Sequence, residues 1–78
     1  MSINFAESVA VFEAVCTVDE AESLLGWLQK NPQGEVDMRS CTHLHSAVLQ
    51  VVMAMKPRIV VWPEDEGFKE CLQAAVEN

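Results

Sequence analysis

Seventy-eight residues, half of them hydrophobic, carry twelve acids against five bases, a formal charge of −7. A surface of that sign repels phosphate backbones and anionic lipid, which argues against nucleic acid or a membrane surface as partner. The length suits one domain over residues 1–78, near the lower end of what a single core sustains, and no apolar run approaches the roughly 20 residues that cross a bilayer.

With no basic start leading into a signal-type apolar segment, a soluble cytoplasmic protein is expected. Cys16, Cys41 and Cys71 form an odd set in or beside apolar patterns. They read as reduced, buried thiols rather than a disulfide framework. No repeat or low-complexity segment is present. The first few residues and Glu77–Asn78 are expected to fray.

In chain order, Ile3 to Phe5 can add a short edge strand to the run Val9 to Cys16. That run places Val9, Val11 and Val15 on one face and Phe12 and Ala14 on the other, which predicts an interior strand covered on both sides. Thr17 to Glu20 reads as a capping box, a hydroxyl followed three residues later by a carboxylate. The helix it opens carries Ala21, Leu24, Leu25 and Leu28 as one stripe, with Asp19, Glu20 and Glu22 in its first turn and Lys30 near its end. Asn31 to Gly34 stops it.

Glu35 to Arg39 alternates apolar Val36 and Met38 with charges in strand fashion, and a polar bend is expected from Ser40 to His45. Between Ala47 and Met55 only Gln50 is polar, which predicts an almost wholly buried helix ended by Lys56 and Pro57. Arg58 to Trp62 is the clearest strand. Pro63 to Glu66 starts a last helix with Phe68, Cys71, Leu72, Ala75 and Val76 on one stripe. The order implies an α/β fold: a small mixed sheet of about four strands, parallel in its C-terminal half, with three helices.

The turn Thr17-Val18-Asp19, the strand Val36 to Ser40 and the segment His43 to Leu49 carry a resemblance over roughly residues 9 to 76. In order and spacing of elements the chain resembles the STAS family, the domain of anti-anti-sigma factors and of sulphate-transporter tails. Members run through a G-x-L-D-like turn into a helix, then a D-L-S-x-V strand, a bend reading x-D-S-x-G-L, a buried helix, a strand and a final helix. The resemblance implies that Ser46 corresponds to the residue that a partner kinase phosphorylates in regulatory members. In other branches, among them small subunits of lipid-trafficking ABC transporters, the same surface binds an ATPase without a phosphoserine. Here His45 stands in place of the bend's Asp, and Val48 in place of its small Gly.

Two readings of Ser46 stand side by side. It is a helix N-cap, worth roughly 0.5–2 kcal/mol against Ala, or a phosphoacceptor whose charge would lie on free N–H groups at a positive helix end beside His45. Cys41, His43 and His45 form C-x-H-x-H, and extended backbone would point all three one way, as a transition metal requires. The alternative is two solvated imidazoles and a half-buried thiol, since a structural zinc needs four ligands and no fourth has motif spacing. Asp19 either joins Ser46 at one end of the sheet or only complements the helix dipole, as Glu64, Asp65 and Glu66 do.

Trp27 reads as flank packing or an interface anchor, Trp62 as half exposed beside the bend, and Met38, Met53 and Met55 as core fillers. No Gly-rich phosphate loop, C-x-x-C or credible Ser/His/Asp set is present, and Cys41 with His43 lacks an orienting third group. Neither an enzyme nor a cofactor is expected.

The expectation is a non-catalytic regulatory domain that docks to a cytoplasmic protein of the anti-sigma, kinase-like ATPase or ABC-transporter ATPase class. Its docking face would comprise Asp19, Thr42, His43, His45, Ser46, Val48 and Leu49, with Ser46 as the phosphorylation candidate. The alternative is a constitutive subunit holding that ATPase, or a second copy of itself, without phosphorylation. Metal binding through Cys41, His43 and His45 is the third reading.

Overall fold

A computed structural model describes residues 3–77. Within them β1 (Ile3–Phe5) pairs antiparallel with β2 (Val9–Cys16), β2 pairs parallel with β3 (Glu35–Leu44), and β3 pairs parallel with β4 (Arg58–Val61). The helices α1 (Asp19–Lys30), α2 (Ser46–Met55) and α3 (Glu66–Glu77) follow β2, β3 and β4. The α/β reading therefore holds: four strands in the order β1-β2-β3-β4, parallel after the first pair, with three helices. Ile3 is buried in β1 and Glu77 closes α3. Met1, Ser2 and Asn78 lie outside the described residues.

The core forms on one face of this sheet. Phe12, Val36, Met38, Cys16, Cys41 and Leu44 from the strands meet Leu24 and Leu28 of α1, Val48 and Val52 of α2 and Leu72 of α3. Each large apolar side chain taken from water there contributes about 1.5–3 kcal/mol. The strand order advances in a single direction, and with right-handed crossovers that arrangement sends consecutive helices to the same side of a sheet.

That topology corrects two expectations. The strand β2 is not covered on both faces: Val9 and Val11 are half-buried and Val15 is exposed, on the side away from the core. Nor is α2 almost wholly buried. Only Val48 and Val52 are buried, because the helix has one layer beneath it and none above; Met53 and Met55 are exposed, and only Met38 of the three methionines fills the core.

Irregular pairing refines the strands. The register between β2 and β3 shifts between Val11 and Glu13 and again between Ala14 and Val15. Ala14 takes φ 49° at this irregularity and is exposed, whereas the regular alternation would have put it on the Phe12 side. Ser40 to Leu44 belongs to β3 rather than to a bend, since Ser40, Cys41, His43 and Leu44 all pair with β2. The β-branched Thr42 suits that extended backbone.

Helix ends differ in detail too. The N-cap of α1 is Val18, with no side-chain cap bond, so the expected capping box is not formed. The α3 helix begins at Glu66, later than the Pro63 start expected, and the Asp65 carboxylate accepts from the Phe68 N–H at 2.8 Å. Leu72 is its buried anchor, while Cys71 is exposed, against the reading of three buried thiols. Trp27 packs on Phe5 with ring centroids 5.5 Å apart, which makes it a flank residue of the core.

Candidate functional site

The strands β2 and β3 end together. Cys16 pairs with Leu44, and one residue on, the His45 N–H donates to the Cys16 carbonyl at 2.9 Å. The turn Thr17 to Asp19 and the start of α2 thus share one edge of the molecule. Parallel strands with right-handed crossovers produce this: both following helices start from the same end of the sheet, where free N–H groups point outward.

The cap of α2 is His45 and not Ser46. His45 has extended backbone (φ −60°, ψ 146°), and its Nδ1 accepts from the Ala47 N–H at 3.0 Å. Its carbonyl accepts from the Val48 and Leu49 N–H groups at 2.9 and 3.0 Å. Nδ1 stands three bonds from Cα, as the carboxylate oxygen of Asp does, so the ring reaches the same amide that Asp reaches. Nδ1 here is an acceptor, which leaves the ring proton on Nε2. Ser46 is the first helical residue, exposed, with its hydroxyl outside the cap.

Of the residues expected on a docking face, Asp19, Thr42, His43, His45 and Ser46 are exposed, and Leu49 is half-buried against the core. Val48 is fully buried and belongs to the core instead. It sits one turn before Val52 on the inward row of α2, where a branched side chain fills space. Thr17 and Val18 are exposed beside Asp19, with Val18 at 52 % of its full exposure.

The C-x-H-x-H residues are not brought together. Cys41 points into the core while His43 and His45 are exposed, and among the described residues no three His, Cys, Asp or Glu side chains converge on one point. The bulged end of β3 breaks the alternation that would have aligned them. Trp62 is half-buried, as expected, yet it lines a cavity of about 150 Å³ with Val52, Lys56, Pro57, Ile59 and Val76, beside the C-terminal end of α2 rather than at the His45 end.

Directly behind the exposed edge lies a feature the sequence did not announce. The buried thiols of Cys16 and Cys41 lie on the core face of neighbouring strands, and their interaction pushes Cys16 up and holds Cys41 below the ordinary thiol range. Burial adds to the rise at Cys16. The Cys41 Sγ in turn donates to the His43 carbonyl at 3.6 Å. Glu20 completes the group: it is 5 % exposed, and its Oε2 has no hydrogen-bond partner among the described residues. The signal was present in the spacing. Glu20, Leu24 and Leu28 form one i, i+4, i+8 row, and that row is the buried one.

The described residues include no helix long and apolar enough to cross a membrane. No family model and no curated protein matches the chain.

Proposed function

We propose that this protein is a non-catalytic regulatory domain of STAS type that docks to a protein partner through the edge formed by Thr17 to Asp19 and Thr42 to Ser46, with Leu49 behind it. The observation that carries the reading is the hydrogen bond from the His45 N–H to the Cys16 carbonyl, which joins the two segments into one exposed surface. Ser46 lies on that surface at the first position of α2. A phosphate there meets the positive end of the helix, and its charge alters a docking surface at once. The partner class that fits is a kinase-like ATPase of the anti-sigma type.

A second reading is a constitutive subunit of an ATPase, or a homodimer, with no phosphate involved. The His45 ring favours it: His45 already satisfies the cap, and no carboxylate stands next to the Ser46 hydroxyl from the preceding position.

Capture from native lysate by wild type, Ser46→Ala and Ser46→Asp, with intact mass of the endogenous protein, separates the two. Ser46→Asp keeps the fold, since a carboxylate is favoured in the first turn of a helix. A phosphate on Ser46, with an ATPase held by wild type and lost or gained in Ser46→Asp, supports the switch. No phosphate and one partner held equally by all three leaves the constitutive subunit. No partner for any of the three, with neither phosphate nor self-association, refutes both.

A further inference from the structure

Cys16 and Cys41 occupy diagonal positions on the core face of neighbouring parallel strands, Cys16 opposite Leu44 and Cys41 opposite Ala14. Both are buried, and each is tied to the exposed edge: the Cys16 carbonyl holds the His45 N–H, and the Cys41 Sγ holds the His43 carbonyl. The register irregularity between Ala14 and Val15, with Ala14 at φ 49°, lies between the two cysteines. Regular pairing is already interrupted there, so the backbone can shift without breaking an intact ladder.

We propose that Cys16 and Cys41 form a reversible disulfide in response to hydrogen peroxide, and that closing it reshapes the edge from Thr42 to Ser46. As regulation of a docking surface this rests on the reading above; as chemistry it stands by itself. The Cys41 thiolate attacks one peroxide oxygen and the O–O bond breaks; the other oxygen leaves as water after taking up a proton, and Cys41 becomes a sulfenic acid. The Cys16 sulfur then attacks the Cys41 sulfur. The S–S bond forms, the S–OH bond breaks, and the hydroxyl leaves with the Cys16 proton as a second water. Two thiols are oxidised by two electrons and one peroxide is reduced to two waters.

Their mutual contact pushes the Cys16 thiol above and holds the Cys41 thiol below the ordinary range, so Cys41 is the first to react. A relaxed disulfide needs Cα atoms about 4.4–6.8 Å apart. Closing a diagonal pair draws the ends of β2 and β3 toward each other, and the bonds to His43 and His45 pass that movement outward. Both thiols being buried, reaction proceeds through local opening of the strand ends, which sets a slow response.

The test uses Cys71→Ser, which removes the exposed thiol, treated with hydrogen peroxide in the absence of denaturant. Cleavage after Lys30 and Arg39 puts Cys16 and Cys41 on separate peptides. The expected result is an intact mass lower by two hydrogens, those two peptides joined, full reversal by dithiothreitol, an unchanged far-UV spectrum, and altered amide exchange from Thr42 to Ser46. Thiols that remain alkylatable after peroxide, a cross-link formed only in denaturant, or a cross-link with unchanged exchange at Thr42 to Ser46 each overturn it. In Cys16→Ser/Cys71→Ser, the Cys41 sulfenic acid is expected to persist and to be trapped by dimedone. None of these readouts involves a partner, so they stand or fall independently of the Ser46 experiment.

Discussion

The indole of Trp27 lies where a side chain on Gly34 would begin: two of its ring carbons stand 2.6 Å from the position of a Cβ built there. Asn31 N–H and Nδ2 both donate to the Trp27 carbonyl at 2.9 Å, and the Gly34 N–H donates to the Asn31 carbonyl at 2.8 Å. The turn that ends α1 is thereby folded against the indole, itself held on Phe5. Gly34→Ala is expected to destabilise the protein by about 1–3 kcal/mol through overpacking. Trp27→Leu in the same chain should recover part of that loss, a non-additivity that urea unfolding of the four-membered cycle reads directly.

The cap of α2 sets His45 and Ser46 apart. Losing the Nδ1 acceptor in His45→Ala is expected to lower stability by roughly 0.5–2 kcal/mol, whereas Ser46→Ala should change it by less than about 0.5 kcal/mol. His45→Asp restores an acceptor at the same reach and adds a negative charge at the helix start, so it should match or exceed wild type. Thermal unfolding of the three variants checks the order. A larger loss from Ser46→Ala than from His45→Ala would return the cap to the serine.

Glu20 presents the reverse case. Its Oε2 is buried without a partner among the described residues, a condition that costs about 1–3 kcal/mol. Glu20→Leu places an apolar side chain on the row shared with Leu24 and Leu28, and is expected to raise the denaturation midpoint. A lower midpoint would show that the carboxylate is satisfied in solution.

Among the described residues, two non-glycine residues hold positive φ, Ala14 at 49° and Lys56 at 50°, the latter as the C-cap of α2 with its N–H on the Val52 carbonyl. Left-handed backbone disfavours an L side chain by roughly 1–2 kcal/mol, and glycine carries no such penalty. Lys56→Gly is accordingly expected to stabilise by up to about 1 kcal/mol, the gain being reduced by the greater freedom of glycine in the unfolded chain. Ala14→Gly should behave alike. Chemical denaturation of each variant gives the sign.

Local signals carried most of the element order. Val, Ile and Phe in short runs marked the strands, and the row Leu24 and Leu28 marked the buried side of α1. Pro57 marked the stop of α2, and acids before Phe68 marked the start of α3. Asp19, Thr42, His43, His45 and Ser46, placed on one docking face in the sequence reading, are all exposed. Val48, placed there too, is buried, because the periodicity of an apolar helix says which residues share a row but not which row faces inward.

What the sequence determined by itself is therefore the kind and order of the elements, because strand and helix periods, caps and breakers act over a few neighbouring residues. Coverage was decided only in three dimensions: a strand order that advances one way puts the helices on one face, leaving Val15 exposed in β2 and Met53 exposed in α2. The bulge in β2 and β3 likewise arises from pairing between segments some 25 residues apart, Ala14 with Cys41, which no local pattern encodes. That pairing placed Cys41 in the core beside Cys16, away from His43 and His45, turning an apparent ligand set into a thiol pair behind an exposed edge.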